Sequence, residues 1–264
     1  MPSVSNIAVG AAMAGAAAQK ARHQMNESIA RLSTGIRSMY GGDAAGQSVA
    51  NSLGSKGASF AVAARNAEDG ISYLQAAESL LLEMAALTTR LRELGIQYAN
   101  NALLTVTDEA ALNAEAIAIG DAIDGIADNM KFNGVALVGT ATAIEIGIND
   151  NADTATVGTA TTIEITNTDN ITGANGVDGS ADSALGQIAK SLGNVAAGMV
   201  SLKGYQAVAS NTAANLKAAA ARIQDTDYAL ETANLTKAAI LNQSAMAMVA
   251  QANQAQQAIL TVIQ

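Results

Sequence analysis

The stretch from Ser183 to Ile223 constrains this chain more than any other. Leu185, Ile188, Leu192, Val195, Met199, Leu202, Gln206, Ala209, Ala213, Leu216, Ala220 and Ile223 follow one another at steps of three and four without a slip, and only Gln206 among them is polar. A repeat of 3.5 residues is the period of a helix that lays one narrow seam against other helices. No proline interrupts the run, and Ala, Leu, Gln and Lys favour the helix. A helix of about 40 residues reaches roughly 60 Å. A compact core is not that long, so the seam calls for other long helices, from this chain or from copies of it. The expected fold is mostly α: a long antiparallel helical bundle or coiled coil, with a small β-hairpin region in the middle of the chain.

Composition narrows the chemistry. Apolar residues make up 50% of the chain but aromatic residues only 3%, and Trp and Cys are absent. Small and aliphatic side chains suit close helix packing better than a core built around large pockets. A charged fraction of 14% and a net charge of -9 argue against nucleic acid as a partner, because neutralising phosphates takes clustered Lys and Arg. Without Cys there is no disulfide, thiolate metal site or Cys nucleophile. His23 is the single histidine, which removes paired-His metal motifs; beside Arg22 it reads as a solvated residue. No apolar run reaches the roughly 18–20 residues of a membrane span, so no membrane insertion is expected. Residues 8–18 have the length of a signal core, but the basic residues Lys20 and Arg22 follow it instead of preceding it. Export, where it occurs, is expected to proceed without a cleaved signal peptide.

In chain order, Ile7, Ala14, Ala18, Ala21, Met25, Ile29, Leu32 and Ile36 mark the apolar face of a first helix. The pattern breaks at Tyr40-Gly41-Gly42-Asp43, and further glycines make residues 39–58 a Gly-rich connector. A second helix is expected from Phe60 to about Ala99. A shorter one follows, capped by Thr107 and carrying Asp108 and Glu109 in its first turn. Beyond residue 132 the period changes. Gly139–Ile146 (GTATAIEI) recurs at Gly158–Ile165 (GTATTIEI), and alternation within each copy predicts two paired strands with Ile144 and Ile146 on one face. Asp150, Asp153, Asp169, Asp178 and Asp182 lack the spacing of a calcium loop and read as turn residues. A last helix, Tyr228–Gln264, keeps Val249, Ala252, Ile259 and Ile263 on one face and carries little charge, as though built to be buried against other chains.

Several motifs then resemble one family. Leu32-Ser33-Thr34-Gly35-Ile36-Arg37, Asp43-Ala44-Ala45-Gly46, Arg65-Asn66-Ala67-Glu68-Asp69-Gly70-Ile71-Ser72, Phe132-Asn133-Gly134, Asp225-Thr226-Asp227-Tyr228-Ala229 and Ala250-Gln251-Ala252-Asn253-Gln254 occur in the order found in bacterial flagellins. Gly42 and Gln256 depart from that pattern, which often has Asp and Pro there, and the middle region is short. The resemblance implies a self-assembling structural subunit of the flagellar filament with no cofactor and no enzymatic activity. It divides the chain into terminal helices (1–38 and 228–264) at the inner core of the filament, an outer core (39–138 and 183–227) and a short variable region (139–182).

The implied subunit-packing residues are Ile7, Met25, Ile29, Leu32, Leu185, Ile188, Leu192, Val195, Met199, Leu202, Val249, Ile259 and Ile263. The implied partners are further copies of the chain, the flagellar export apparatus and a secretion chaperone, and the filament cap and junction proteins. A vertebrate Toll-like receptor for flagellin is a further implied partner, recognising Arg90, Leu94, Gln97 and Glu115. The implied location is extracellular. Three alternatives carry different expectations: a hook–filament junction protein, an enzyme housed in the middle region, and an adhesin. The middle region lacks the paired His that a metalloprotease needs.

Overall fold

The structure, a computed structural model, describes residues 2–37, 43–138, 144–151, 153–158 and 177–263. In chain order these form α1 (Pro2–Thr34), α2 (Ala44–Tyr98), a 3-10 turn (Asn101–Leu103), α3 (Val106–Asn129), the strand pair β1 (Lys131–Phe132) and β2 (Val135–Ala136), the pair β3 (Ile144–Gly147) and β4 (Thr154–Val157), α4 (Val177–Gln224) and α5 (Tyr228–Ile263). The mostly α fold is as expected. Packing divides the chain into two compact units, one of residues 1–55 with 216–264 and one of residues 56–215.

The unit of residues 56–215 has a continuous core. Along α2 it takes Leu74, Leu81, Met84, Leu91 and Leu94; along α3 Ala116 and Ile123; along α4 Ala184, Ile188, Val195 and Leu202. The predicted α4 seam holds here. Ile188, Val195 and Leu202 are buried, and Leu185, Leu192 and Met199 are half-buried. Small Ala184 and Ser191 complete the buried stripe and let neighbouring backbones approach. Tyr73 reaches from α2 to the first strand pair, where its hydroxyl donates to the Ala136 carbonyl at 2.6 Å and its ring meets Phe132 edge-on at 6.0 Å. Burial raises the pKa of the Tyr73 phenol. The β1–β2 turn is Asn133-Gly134 with φ of 51° and 83°, the left-handed pair that a two-residue hairpin requires. Ile146 seats β3 on Gly70 of α2, where any Cβ would overlap its δ-methyl.

Three expectations change. The irregular connector is shorter than predicted, because α2 is already helical from Ala44. Asp43 starts it by accepting from the Gly46 N–H at 2.8 Å, and Ala50 and Gly57 lie on its buried side. The cap of α3 is Thr105, not Thr107. Thr105 accepts from the Asp108 N–H at 3.3 Å, and its own N–H donates to the Asp108 carboxylate at 3.0 Å, a reciprocal capping box. Finally, β3 pairs antiparallel with Thr154–Val157, just ahead of the second repeat copy. Ala155 and Val157 are buried there, so β4 supplies the inward alternation that β3 needs. Residues 159–165 of the second copy lie outside the described residues.

The other unit is built on α1 and α5, which pack along each other antiparallel. Thr34 ends α1, and Gly35, at φ 71°, turns the chain. A short bridge follows: the Thr226 N–H donates to the Gly35 carbonyl at 2.9 Å and the Arg37 N–H to the Gln224 carbonyl at 2.8 Å. The Arg37 guanidinium joins both ends of this corner, donating to the Ile223 carbonyl at 3.1 Å and pairing with Asp43 at 2.9 Å. Asp227 caps α5 by accepting from the Ala229 N–H at 2.9 Å.

Candidate assembly surface

The interface between α1 and α5 is made of small residues. Ala14, Ala18, Ala21 and Ser28 of α1 and Ala238 and Ala245 of α5 are buried. At its base the packing turns polar. The Glu231 carboxylate is buried and pairs with Arg31 at 3.3 Å; Arg31 also lies 3.7 Å from Glu27 on its own helix, and Glu27 contacts exposed His23 at 3.2 Å. Glu27, Arg31 and Glu231 line a cavity of about 270 Å³ with Gln24, Asn234 and Lys237. Thr226 Oγ1 and Asn242 Oδ1 are buried without a hydrogen-bond partner among the described residues.

Two helices joined by alanines cover little of each other. Val9, Met13 and Ile29 of α1 and Leu230, Ile240, Leu241, Met246 and Met248 of α5 are left exposed. A soluble domain normally shows scattered apolar residues, but two long helices showing this many present a surface that needs covering.

The predicted packing residues fall into groups. Met25, Leu32 and Val249 are half-buried at the edges of the α1–α5 contact, and Ile29 faces outward. Ile7, Ile259 and Ile263 lie on the helices, but their side chains fall outside the described residues. Of the α4 residues, Ile188, Val195 and Leu202 lie in the core of their own unit, and Leu185, Leu192 and Met199 are half-buried.

The implied receptor surface is likewise divided. Arg90, Gln97 and Glu115 are exposed, and the Arg90 guanidinium donates to Glu115 at 2.7 and 2.9 Å and to Glu93 at 3.2 Å. Leu94, expected on that surface, is instead completely buried, because its position on α2 faces the core with Leu91. Of the aspartates considered for calcium, Asp182 pairs with Arg92 at 2.6 Å, Asp150 lies 4.0 Å from Lys56, and Asp153 accepts from Asn149. Asp169 lies outside the described residues, as does the Asp178 side chain. Among the described residues no three His, Cys, Asp or Glu side chains converge to hold a metal ion, and no helix is long and apolar enough to cross a membrane.

Ser28 and Glu231 were missed by apolar patterning because they are polar. Both nonetheless continue a three-four step, Ser28 between Met25 and Leu32, and Glu231 ahead of Ala238 and Ala245.

Comparison with known proteins identifies the family. Residues 5–142 match the bacterial flagellin N-terminal helical region and residues 179–263 the bacterial flagellin C-terminal helical region. Flagellin FlaB2 of Treponema pallidum (strain Nichols) is 33% identical over 273 residues, which cover 90% of this chain and 92% of that one. A flagellin of Halalkalibacterium halodurans is 31% identical over 252 residues (91% and 92%). A flagellin of Bacillus subtilis (strain 168) is 30% identical over 279 residues (90% and 92%). The chain belongs to the bacterial flagellins, as a structural subunit of the flagellar filament.

Proposed function

We propose that the subunit polymerises through the outer faces of its terminal helices, residues 1–38 and 228–264, which form the inner core of an extracellular filament that drives swimming. The observation that carries this reading is the row of exposed apolar side chains on the α1–α5 pair. In a lone subunit they face water; a ring of copies buries them at roughly 25 cal/mol per Å². Residues 39–138 and 183–227 form the outer core around it, and residues 139–182 the short outermost region. The role is structural and not enzymatic.

Partners follow from that role: other copies of the chain, the cap and junction proteins at the filament ends, and the export apparatus with a chaperone that shields the apolar helices before secretion without a cleaved signal. Recognition by a Toll-like receptor would rest on Arg90, Gln97 and Glu115, with Leu94 acting only from beneath. The junction-protein alternative is not favoured, since the relatives that match carry the names of flagellins and of a flagellar filament core protein.

The test is circular dichroism with electron microscopy on purified subunits, before and after seeding with filament fragments. Long uniform filaments are expected. Subunits that remain monomeric at high concentration with seeds present would refute the role.

A further inference from the structure

Sulfur in this chain is carried by methionine alone, since there are nine Met and no Cys. Three of these methionines are concentrated on the surface just described. Met13 on α1 is 70% exposed, and Met246 and Met248 on α5 are 55% and 65% exposed. The antiparallel pairing that sets Arg31 against Glu231 brings Met13 level with Val249, because both helices advance equally per residue. The three methionines therefore lie at similar heights along the helix pair, with Met246 and Met248, two residues apart, on opposite flanks of α5.

We infer that oxidation of Met13, Met246 and Met248, the exposed methionines of the helix pair, decides whether a free subunit can join the filament. The inference rests on the filament reading above. Hydrogen peroxide is the oxidant. A thioether lone pair attacks one peroxide oxygen and the O–O bond breaks. A proton passes to the departing oxygen, so sulfur ends as the sulfoxide, oxidised by two electrons, and the peroxide leaves as water. The product is a polar, chiral group in place of a flexible apolar one. Burying it between subunits without a partner is costly. A subunit already in the filament has these sulfurs covered, so oxidation acts before assembly and not after it.

The experiment treats soluble full-length subunits and intact filaments with hydrogen peroxide. It then measures a 16 Da gain at each methionine by peptide mass spectrometry, and seeded elongation in parallel; the 16 Da is about the mass of the one oxygen added. In soluble subunits Met13, Met246 and Met248 are expected to oxidise first, while fully buried Met84 resists. Elongation should fall by about tenfold, the factor one unpaired buried polar group imposes. Enzymatic reduction of the sulfoxides should restore it. In a variant carrying Met13→Leu, Met246→Leu and Met248→Leu, swaps of nearly constant volume, elongation after peroxide should match that variant's own untreated rate.

Undiminished elongation by fully oxidised wild type would overturn the inference. So would peroxide sensitivity that persists in the triple variant, which would point to exposed Met130, or equal oxidation rates in subunit and filament. Should the triple variant fail to assemble, the reductase experiment on wild type decides alone. An untreated chain that forms no filaments would instead refute the filament reading and, with it, this inference.

Discussion

Glu231 is 6% exposed, and the cation that meets it, 3.3 Å away, is Arg31 of the opposite helix. In an interface otherwise made of alanines, this pair marks one register of α1 against α5. Alanine stripes slide past each other at little cost; a buried carboxylate shifted by one turn would lose its partner.

Removing Arg31 should therefore cost more than removing both charges. Arg31→Ala leaves Glu231 buried and unpaired, and should lower unfolding stability by about 1–3 kcal/mol, the upper range being discounted because the Arg31 side chain is 31% exposed. The double variant Arg31→Met with Glu231→Leu should recover most of that loss. Urea unfolding followed by helical circular dichroism measures both. Equal losses in the single and double variants would show the pair to be incidental.

Gly70 makes a second prediction in which two effects oppose. Alanine there gains about 1 kcal/mol of helix propensity. Its methyl, however, would overlap Ile146 Cδ1 and lie 2.9 Å from Leu202 Cδ1, and overpacking typically costs about 1–3 kcal/mol. Both obstacles are side-chain ends, which can yield, so Gly70→Ala should lose about 1 kcal/mol net. Adding Ile146→Val removes the overlapping methyl and should restore near-wild-type stability in the same unfolding assay. No rescue would mean that β3 does not sit on α2 as described.

The α3 cap gives a pH dependence. Hydrogen bonds from the Thr105 hydroxyl, and then from its N–H, hold the Asp108 carboxyl below its ordinary value. A folded pKa that is depressed contributes stability above the unfolded aspartate pKa, and that contribution is lost as pH falls through the folded value. Nuclear magnetic resonance titration of the Asp108 carboxyl should show its midpoint rising towards the ordinary value in Thr105→Ala. An unchanged midpoint would remove Thr105 from the cap.

The legible part of this fold is the part written in large apolar residues. From Leu185 to Leu202 the seam is stated by side chains whose burial is strongly favoured, and it lies where the spacing places it. Two errors came from judging residues by type. Gly46, Gly54 and Gly57 suggested irregular chain, yet the three-four step that runs through Ala67 and Leu74 extends back through Ala50 and Gly57. Thr107 was a plausible cap, but Asp108 stands three residues after Thr105, the spacing a capping box needs. The hairpin partner was hidden for another reason. The repeated GTAT-x-IEI motif drew the pairing to residues 158–165, while Thr154–Val157, with only Ala155 and Val157 turned inward, carries a weak signal.

The assembly surface was less legible, because periodicity identifies a buried face without saying what buries it. Ile188 and Ile29 both sit on predicted apolar faces, but only Ile188 is covered within the chain. Leu94 shows the converse: a residue assigned to a surface by resemblance, whose three-four spacing from Leu91 and Leu87 already put it inside.

Ile240, exposed on α5 and absent from the core of its own unit, offers the most direct test of the filament assignment. The measurement is seeded elongation of Ile240→Asp beside wild type, with circular dichroism on the unassembled subunits. Unchanged helicity with elongation abolished is the result expected if the outer face of α5 joins the subunits. Filaments from the variant growing at the wild-type rate would contradict it.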